Sequence, residues 1–210
     1  MNIVRRPFRY KEYNVTLFLL AVNILVFIFQ QLIPRITYYA ALNPILVLRG
    51  RYFWQFVTYM FAHGGMSHIL FNMLALFIFG TQVEREMGSM EFFLYYMLTG
   101  TLAGVFSFAI YVFTGMNQVF LLGASGAIFA VQLAYATFFP DSIIYVMGII
   151  PLRAPVMVLV FTGIAVFSQI TGFQNGVAHL THLAGFAFGW IYFLVRFGKN
   201  PLDSLIGHRR

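Results

Sequence analysis

Gly123-Ala124-Ser125-Gly126 opens an apolar run that continues to Phe139, and His182 stands near the start of another, Val177–Phe197. A polar Gly-x-Ser-Gly turn at the head of a membrane helix is costly in hydrocarbon and offers little to packing. If these two helices touch, Ser125 and His182 make a nucleophile and its general base inside a membrane. Everything else in the chain has to be compatible with that pairing.

Composition fixes the class. Of 210 residues, 60% are apolar and 9% charged, with 26 Phe and 12 Tyr, whereas soluble domains carry about 25% charged residues. The apolar residues gather in runs of about 20, enough to cross about 30 Å of hydrocarbon at 1.5 Å per residue. The expected fold is an all-α polytopic membrane protein: a single domain over 1–210, built as a bundle of six transmembrane helices. The expected spans are Val15–Ile33, Ile69–Val83, Phe92–Phe113, Gly123–Phe139, Ala154–Ile170 and Val177–Phe197. The second, fourth and fifth are read as short, with polar outer ends on the second and fourth. That pattern fits a water-filled cavity entering from one side.

Basic residues orient the bundle. With the N-terminus inside, the cytoplasmic segments hold Arg5, Arg6, Arg9, Lys11, Arg85, Arg153, Arg196, Lys199, Arg209 and Arg210, and the outer segments hold Arg35, Arg49 and Arg51. This asymmetry puts residues 1–14 and the basic tail 198–210 in the cytoplasm. The net charge of +7 therefore reads as topology and affinity for anionic membrane lipid, with no nucleic-acid partner implied. No small-residue cleavage site follows the first span, so it is expected to stay in the mature protein. The absence of cysteine excludes disulfides, thiolate nucleophiles and cysteine metal sites. Residues 34–66 form a long first outer loop, where aromatics mixed with Arg35, Arg49 and Arg51 suit an element lying in the membrane interface.

The second, fourth and sixth spans all run from outside to inside, so their first turns share one depth. His68 and Asn72 start the second, Ser125 starts the fourth, and His182 lies roughly 8 Å below the start of the sixth. Gly123 and Gly126 admit close approach of a substrate backbone and of a neighbouring helix. The same residues also fit a small-residue packing motif, and position 127 is Ala, so the soluble Gly-x-Ser-x-Gly elbow is not matched. His182, Gly185 and Gly189 share one helix face at i, i+3 and i+7, which puts a histidine above two close-packing positions. A buried histidine is a functional hypothesis by default, with a structural interhelical hydrogen bond as the alternative. His68 and Asn72 are i, i+4 neighbours at the positive end of a helix and suit a developing oxyanion, or else a polar cap. His179 reads as structural or as a cavity rim, and His63 as a loop stabiliser.

All six carboxylates, Glu12, Glu84, Glu86, Glu91, Asp141 and Asp203, fall on the cytoplasmic side. A Ser-His-Asp triad and an intramembrane aspartyl pair are thereby excluded. The zinc signature His-Glu-x-x-His is missing, so no metal and no cofactor are expected. A serine–histidine dyad remains. Glu84-Arg85-Glu86, followed by Gly88, reads as a structural tie between inner helix ends.

These residues resemble the rhomboid family of intramembrane serine proteases, of the six-helix bacterial type. The resemblance rests on His63-Gly64-Gly65-Met66-Ser67-His68-Ile69-Leu70-Phe71-Asn72, on Gly123-Ala124-Ser125-Gly126, and on His182-Leu183-Ala184-Gly185 with Gly189. It implies that Ser125 is the nucleophile, His182 the base, and His68, Asn72 and the Ser125 N–H the oxyanion hole. It implies transmembrane protein substrates, entry past the fifth span and the loop around Gly172–Gly176, and a prokaryotic cytoplasmic membrane with the site opening outward. Two positions depart from the family: Trp54 is followed by Gln55 where Trp-Arg is common, which implies a weaker loop anchor. Phe129 stands where a tyrosine is common, able to stack on His182 but lacking a hydroxyl. The competing readings are a silent relative that binds membrane clients and a small transporter; the second lacks intramembrane acids, lysines and an inverted repeat. As base, His182 must be neutral, and activity flat down to about pH 4 would contradict its role, given a reference pKa of roughly 6.5.

Overall fold

Amides in an apolar run find no water to bond, so each run closes them internally as helix. The computed structural model describes residue 5 and residues 8–146, 148–171 and 179–205. In chain order the elements are α1 (Val15–Leu32), then three short helices α2 (Arg35–Ala40), α3 (Pro44–Gly50) and α4 (Gln55–Thr58). They continue with α5 (Met66–Met87), α6 (Ser89–Phe113), α7 (Ser125–Phe138), strands β1 (Ile143–Val146) and β2 (Ile150–Arg153), α8 (Ala154–Thr171), α9 (His179–Phe197) and α10 (Pro201–Leu205). Among the described residues, α1, α5, α6, α8 and α9 are long and apolar enough to cross a membrane. α7 is apolar but has only 14 residues.

Two expectations need correcting. The second and fifth spans are not short: α8 has 18 residues, as many as α1, and α5 has 22, because the polar residues at both ends of α5 stay helical. Gly88, at φ +83°, ends it, and Leu76–Gly80 forms a π-helical turn within it. The segment after α7 is a hairpin that the all-helical reading missed. Its strands pair antiparallel from Ile143↔Arg153 to Val146↔Ile150, with Gly148 at φ +74° in the turn. The stretch is too short to cross hydrocarbon, and its β-branched and aromatic residues suit a pleated surface. The expected start of the sixth span at Val177, the loop Gly172–Gly176 and the end of the tail lie outside the described residues.

α7 forms the centre of the bundle, with α6, α8 and α9 packed around it. Gly126, Ala127, Ala130, Ala134 and Ala136 are all buried, small residues that let helix backbones approach where lipid supplies no hydrophobic drive. At the end of the bundle away from Ser125, two acids tie helix ends together. Glu84 accepts the N–H groups of Val15 and Thr16, each at 2.7 Å, and the hydroxyl of Ser89. Glu91 meets Arg196 in two charge-assisted bonds of 2.7 and 2.8 Å and also accepts from the Tyr192 hydroxyl.

Candidate active site

Local geometry explains why Ser125 is presented. Gly123 sits at φ +117°, a conformation that glycine adopts without strain, and α7 begins two residues later. Ser125 is the first residue of that helix, so its N–H belongs to the turn whose amides have no partner inside the helix. A Cβ on Gly123 would lie 2.7 Å from His68 Nε2 and 3.8 Å from Ser125 Oγ. The His68 ring and the serine hydroxyl therefore border the same small space.

α9 brings the second half of the site against α7. Its closest approach is at Gly185, where an added Cβ would lie 2.6 Å from the Gly126 carbonyl carbon and closer still to its oxygen. One turn earlier on the same face, His182 Nε2 is 2.7 Å from Ser125 Oγ. The imidazole lies flat on Phe129, with centroids 4.6 Å apart and planes 9° from parallel. Gly189, further down the face, has room for neither Tyr95 Oη nor Ala130 Cα to meet a methyl, at 2.7 and 3.2 Å. His179 is buried, its ring centroid 6.0 Å from that of His182 and perpendicular to it.

The structure therefore brings together Ser125, His182, Phe129, Gly123, Gly126, Gly185 and His68. Asn72 is turned partly away, since its amide donates to the His68 carbonyl of its own helix at 2.9 Å. Glu84 is 16 residues beyond His68 on α5, about 24 Å along the helix, and is occupied at the first turn of α1. Among the described residues no group of three His, Cys, Asp or Glu could hold a metal ion.

Around this pair runs a polar frame. Thr181, next to His182, shares a 2.7 Å hydrogen bond with Ser107 of α6, both hydroxyls buried, and its Cγ2 would touch a Cβ on Gly126 at 3.1 Å. The segment between α1 and α5 holds the stretch that leads into Gly123. Leu42 and Leu121 exchange backbone hydrogen bonds of 2.8 and 2.9 Å, and Gly123 N–H donates to the Tyr59 carbonyl at 2.9 Å. Asn43 Nδ2 donates to the Val119 carbonyl. Gln55, where a weaker loop anchor was expected, is part of this frame. Gln55 is fully buried, accepts the Asn43 N–H at 3.1 Å and donates to the Tyr38 and Tyr39 carbonyls at 3.2 Å. An amide of matched reach does the anchoring here. His63 is buried beside His68, ring centroids 5.1 Å apart, and burial, with the neighbouring His68 second, pushes it down to about 4. Gln30 of α1 clamps its backbone, accepting the His63 N–H at 3.0 Å.

Sequence reasoning missed Ser107, Gln30, Asn43 and Thr181. Polar residues inside or beside apolar runs were the available signal for each of them.

A family model described as the Rhomboid domain matches residues 50–199. The chain is similar to Rhomboid protease GlpG of Haemophilus influenzae, 27% identical over 205 residues that cover 94% of this chain and 100% of that protein. It is similar to RHOMBOID-like protein 4 of Arabidopsis thaliana, 28% identical over 69% of this chain and 34% of the relative. Putative rhomboid protease YdcA of Bacillus subtilis is 30% identical, over 63% of each chain. The matched region runs from the end of α3, through the Ser125–His182 pair, to just past α9, and by it this chain belongs to the rhomboid family.

Proposed function

We propose that this protein is an intramembrane serine endopeptidase that cuts single-span membrane proteins in or near their membrane segment. The observation that carries the reading is the 2.7 Å separation of Ser125 Oγ and His182 Nε2, with the imidazole fixed against Phe129. Relatives whose names describe them as rhomboid proteases support peptide-bond hydrolysis at family level.

Ser125 Oγ attacks the scissile carbonyl carbon while its proton passes to His182 Nε2, which requires the neutral ring with its proton on Nδ1. The oxyanion forms at the head of α7, facing the Ser125 N–H and the His68 side chain. Asn72 contributes the second N–H of its amide, the first being held by the His68 carbonyl. Collapse breaks the C–N bond, and His182 returns the proton to the departing nitrogen. Water then attacks the acyl ester as its proton passes to His182; the acyl–Oγ bond breaks, and His182 returns that proton to Ser125 Oγ. With no carboxylate to orient His182, the Phe129 stack and the Gly126–Gly185 crossing take over that task. A helical substrate must unwind first, because its carbonyl is already hydrogen-bonded. The asymmetry of the basic residues supports both termini in the cytoplasm, the site at the outer face and residues 34–66 at the outer interface; the apolar runs support six spans, and the likeness to Rhomboid protease GlpG of Haemophilus influenzae supports a prokaryotic cytoplasmic membrane.

The test is cleavage of a single-span reporter in liposomes. Ser125→Ala and His182→Ala, each checked for folding, are expected to lose at least about 10³-fold in activity. Cleavage that survives Ser125→Ala sinks the assignment. No cleavage by any form, with no fluorophosphonate labelling of Ser125, replaces it with a silent client-binding protein.

A further inference from the structure

At the end of the bundle away from Ser125, the β1–β2 hairpin carries apolar surface that no other described part of the chain covers. Its two faces differ. Ile144, Val146 and Leu152 pack against the core, so the pleat turns Ile143, Tyr145 and Arg153 outward. Ile143 is 58% exposed, Tyr145 63% and Ile149, in the turn, 79%. The connection Val146-Met147-Gly148-Ile149-Ile150 has no polar side chain, whereas turns that face water favour Asn, Asp and Ser beside Gly.

The hairpin cannot stand far from the bilayer. β2 ends at Arg153 and α8 begins at Ala154 with no linker. The Ala154 N–H donates to the Ser142 carbonyl at 2.9 Å, closing the hairpin base onto the helix start. Four-residue strands reach only about 13 Å. Past the exposed Arg153, apolar exposure resumes within the first turns of α8, a helix apolar enough to cross a membrane, where Val156 is 43% and Leu159 51% exposed.

We propose that the hairpin lies in the headgroup–acyl boundary of the bilayer, with its turn and outer face in lipid, and anchors the start of α8. The direct junction of the hairpin with α8, whose own exposed residues are apolar from its first turns on, favours the bilayer over a protein partner. Tyr145 and Arg153 supply the side chains that suit this depth, an amphipathic ring and a long cation that snorkels to the headgroups. An apolar patch left in water would instead be an association site.

The chain has no cysteine, so Ile149→Cys carries a single environment-sensitive fluorophore. Tyr145→Cys gives a second site, and Glu86→Cys, exposed at the same end of the bundle, gives an aqueous reference. The full-length labelled protein is reconstituted in phosphatidylcholine vesicles with and without phosphatidylglycerol, with iodide on both sides of the membrane. Labels at 145 and 149 are expected to be quenched by lipid bearing a shallow nitroxide, and several-fold less by iodide than the label at 86, in both vesicle types. Equal iodide quenching at all three positions overturns the proposal. Shielding that grows with the protein-to-lipid ratio also overturns it, in favour of a second copy on this face. Protection found only with phosphatidylglycerol replaces apolar insertion with a charge contact through Arg153.

Discussion

α9 and α8 are neighbouring helices of similar length and composition, yet they meet the rest of the bundle in opposite ways. α9 runs its glycine face into α7 until backbone touches backbone, and Gly185 has no space for a methyl group. α8 also has a glycine at mid-length, Gly163, and nothing lies within 4 Å of where its Cβ would be. Most of its buried residues, Ala154, Pro155, Met157 and Val158, belong to its first two turns, next to the hairpin. The lesson is that a glycine in a membrane helix means close approach only where a partner's backbone is there to meet it. The half of the site that needs fixed geometry is on the tight helix, and the helix beside it is held firmly at one end.

Four measurements break or sharpen this contrast. The largest effect is expected from Gly185→Ala, since the new methyl meets the Gly126 main chain, which cannot swing aside as a side chain end could. It should separate α7 from α9 and abolish both reporter cleavage and most of the folded yield in detergent. Normal cleavage by this variant would mean that the crossing is not what holds His182 on Ser125. Thr181→Val removes the hydroxyl bonded to Ser107 and strands a buried donor, a loss of about 1–3 kcal/mol. Reporter turnover should fall, and Ser107→Ala in the same background should add little if the pair acts as a unit.

Acid separates α8 from the surroundings of the site by chemistry. α8 carries no ionisable side chain between Ala154 and Thr171, while the loop beside the site carries His63. His63 has a folded value of about 4, below the unfolded value of roughly 6.5. Its contribution to stability is therefore present above pH 6.5 and is lost as pH falls through about 4. Thermal unfolding in detergent should lose on the order of 2 kcal/mol between pH 7 and pH 4.5 through this group, and His63→Gln should flatten that slope. An unchanged slope would mean that His63 is solvated. The smallest effect belongs to Gly163→Ala, expected to keep full cleavage and to gain up to about 1 kcal/mol from helix propensity. A damaging Gly163→Ala would show that α8 needs the flexibility of that position.

Much of this was legible from residues alone, for a physical reason. Hydrocarbon makes polar side chains conspicuous, so Ser125, His182, His68 and Asn72 stood out from apolar surroundings, and the i, i+3, i+7 spacing of His182, Gly185 and Gly189 gave a face. Which surface that face met had to come from the fold. The length of α5 was misjudged because Glu84 and Arg85 look like a loop until their partners on α1 and in the N-terminal segment are known. The hairpin escaped because a short apolar stretch interrupted by Gly148 and Pro151 has no helical period and no room to span. The partners of Gln55 were hidden for a different reason: comparison with a charged residue in relatives says nothing about which carbonyls lie within reach of an amide.

The carboxyl of Glu84 has a consequence for the order in which the molecule is completed. α1 has no side-chain cap of its own, with Asn14 in the left-handed region just before it. The groups that take its first two amide protons come 69 and 68 residues later in the chain. During synthesis α1 is therefore made well before α5, yet its first turn is completed only after α5. Its leading turn stays bonded to water until residue 84 has emerged, crossed back and folded against it.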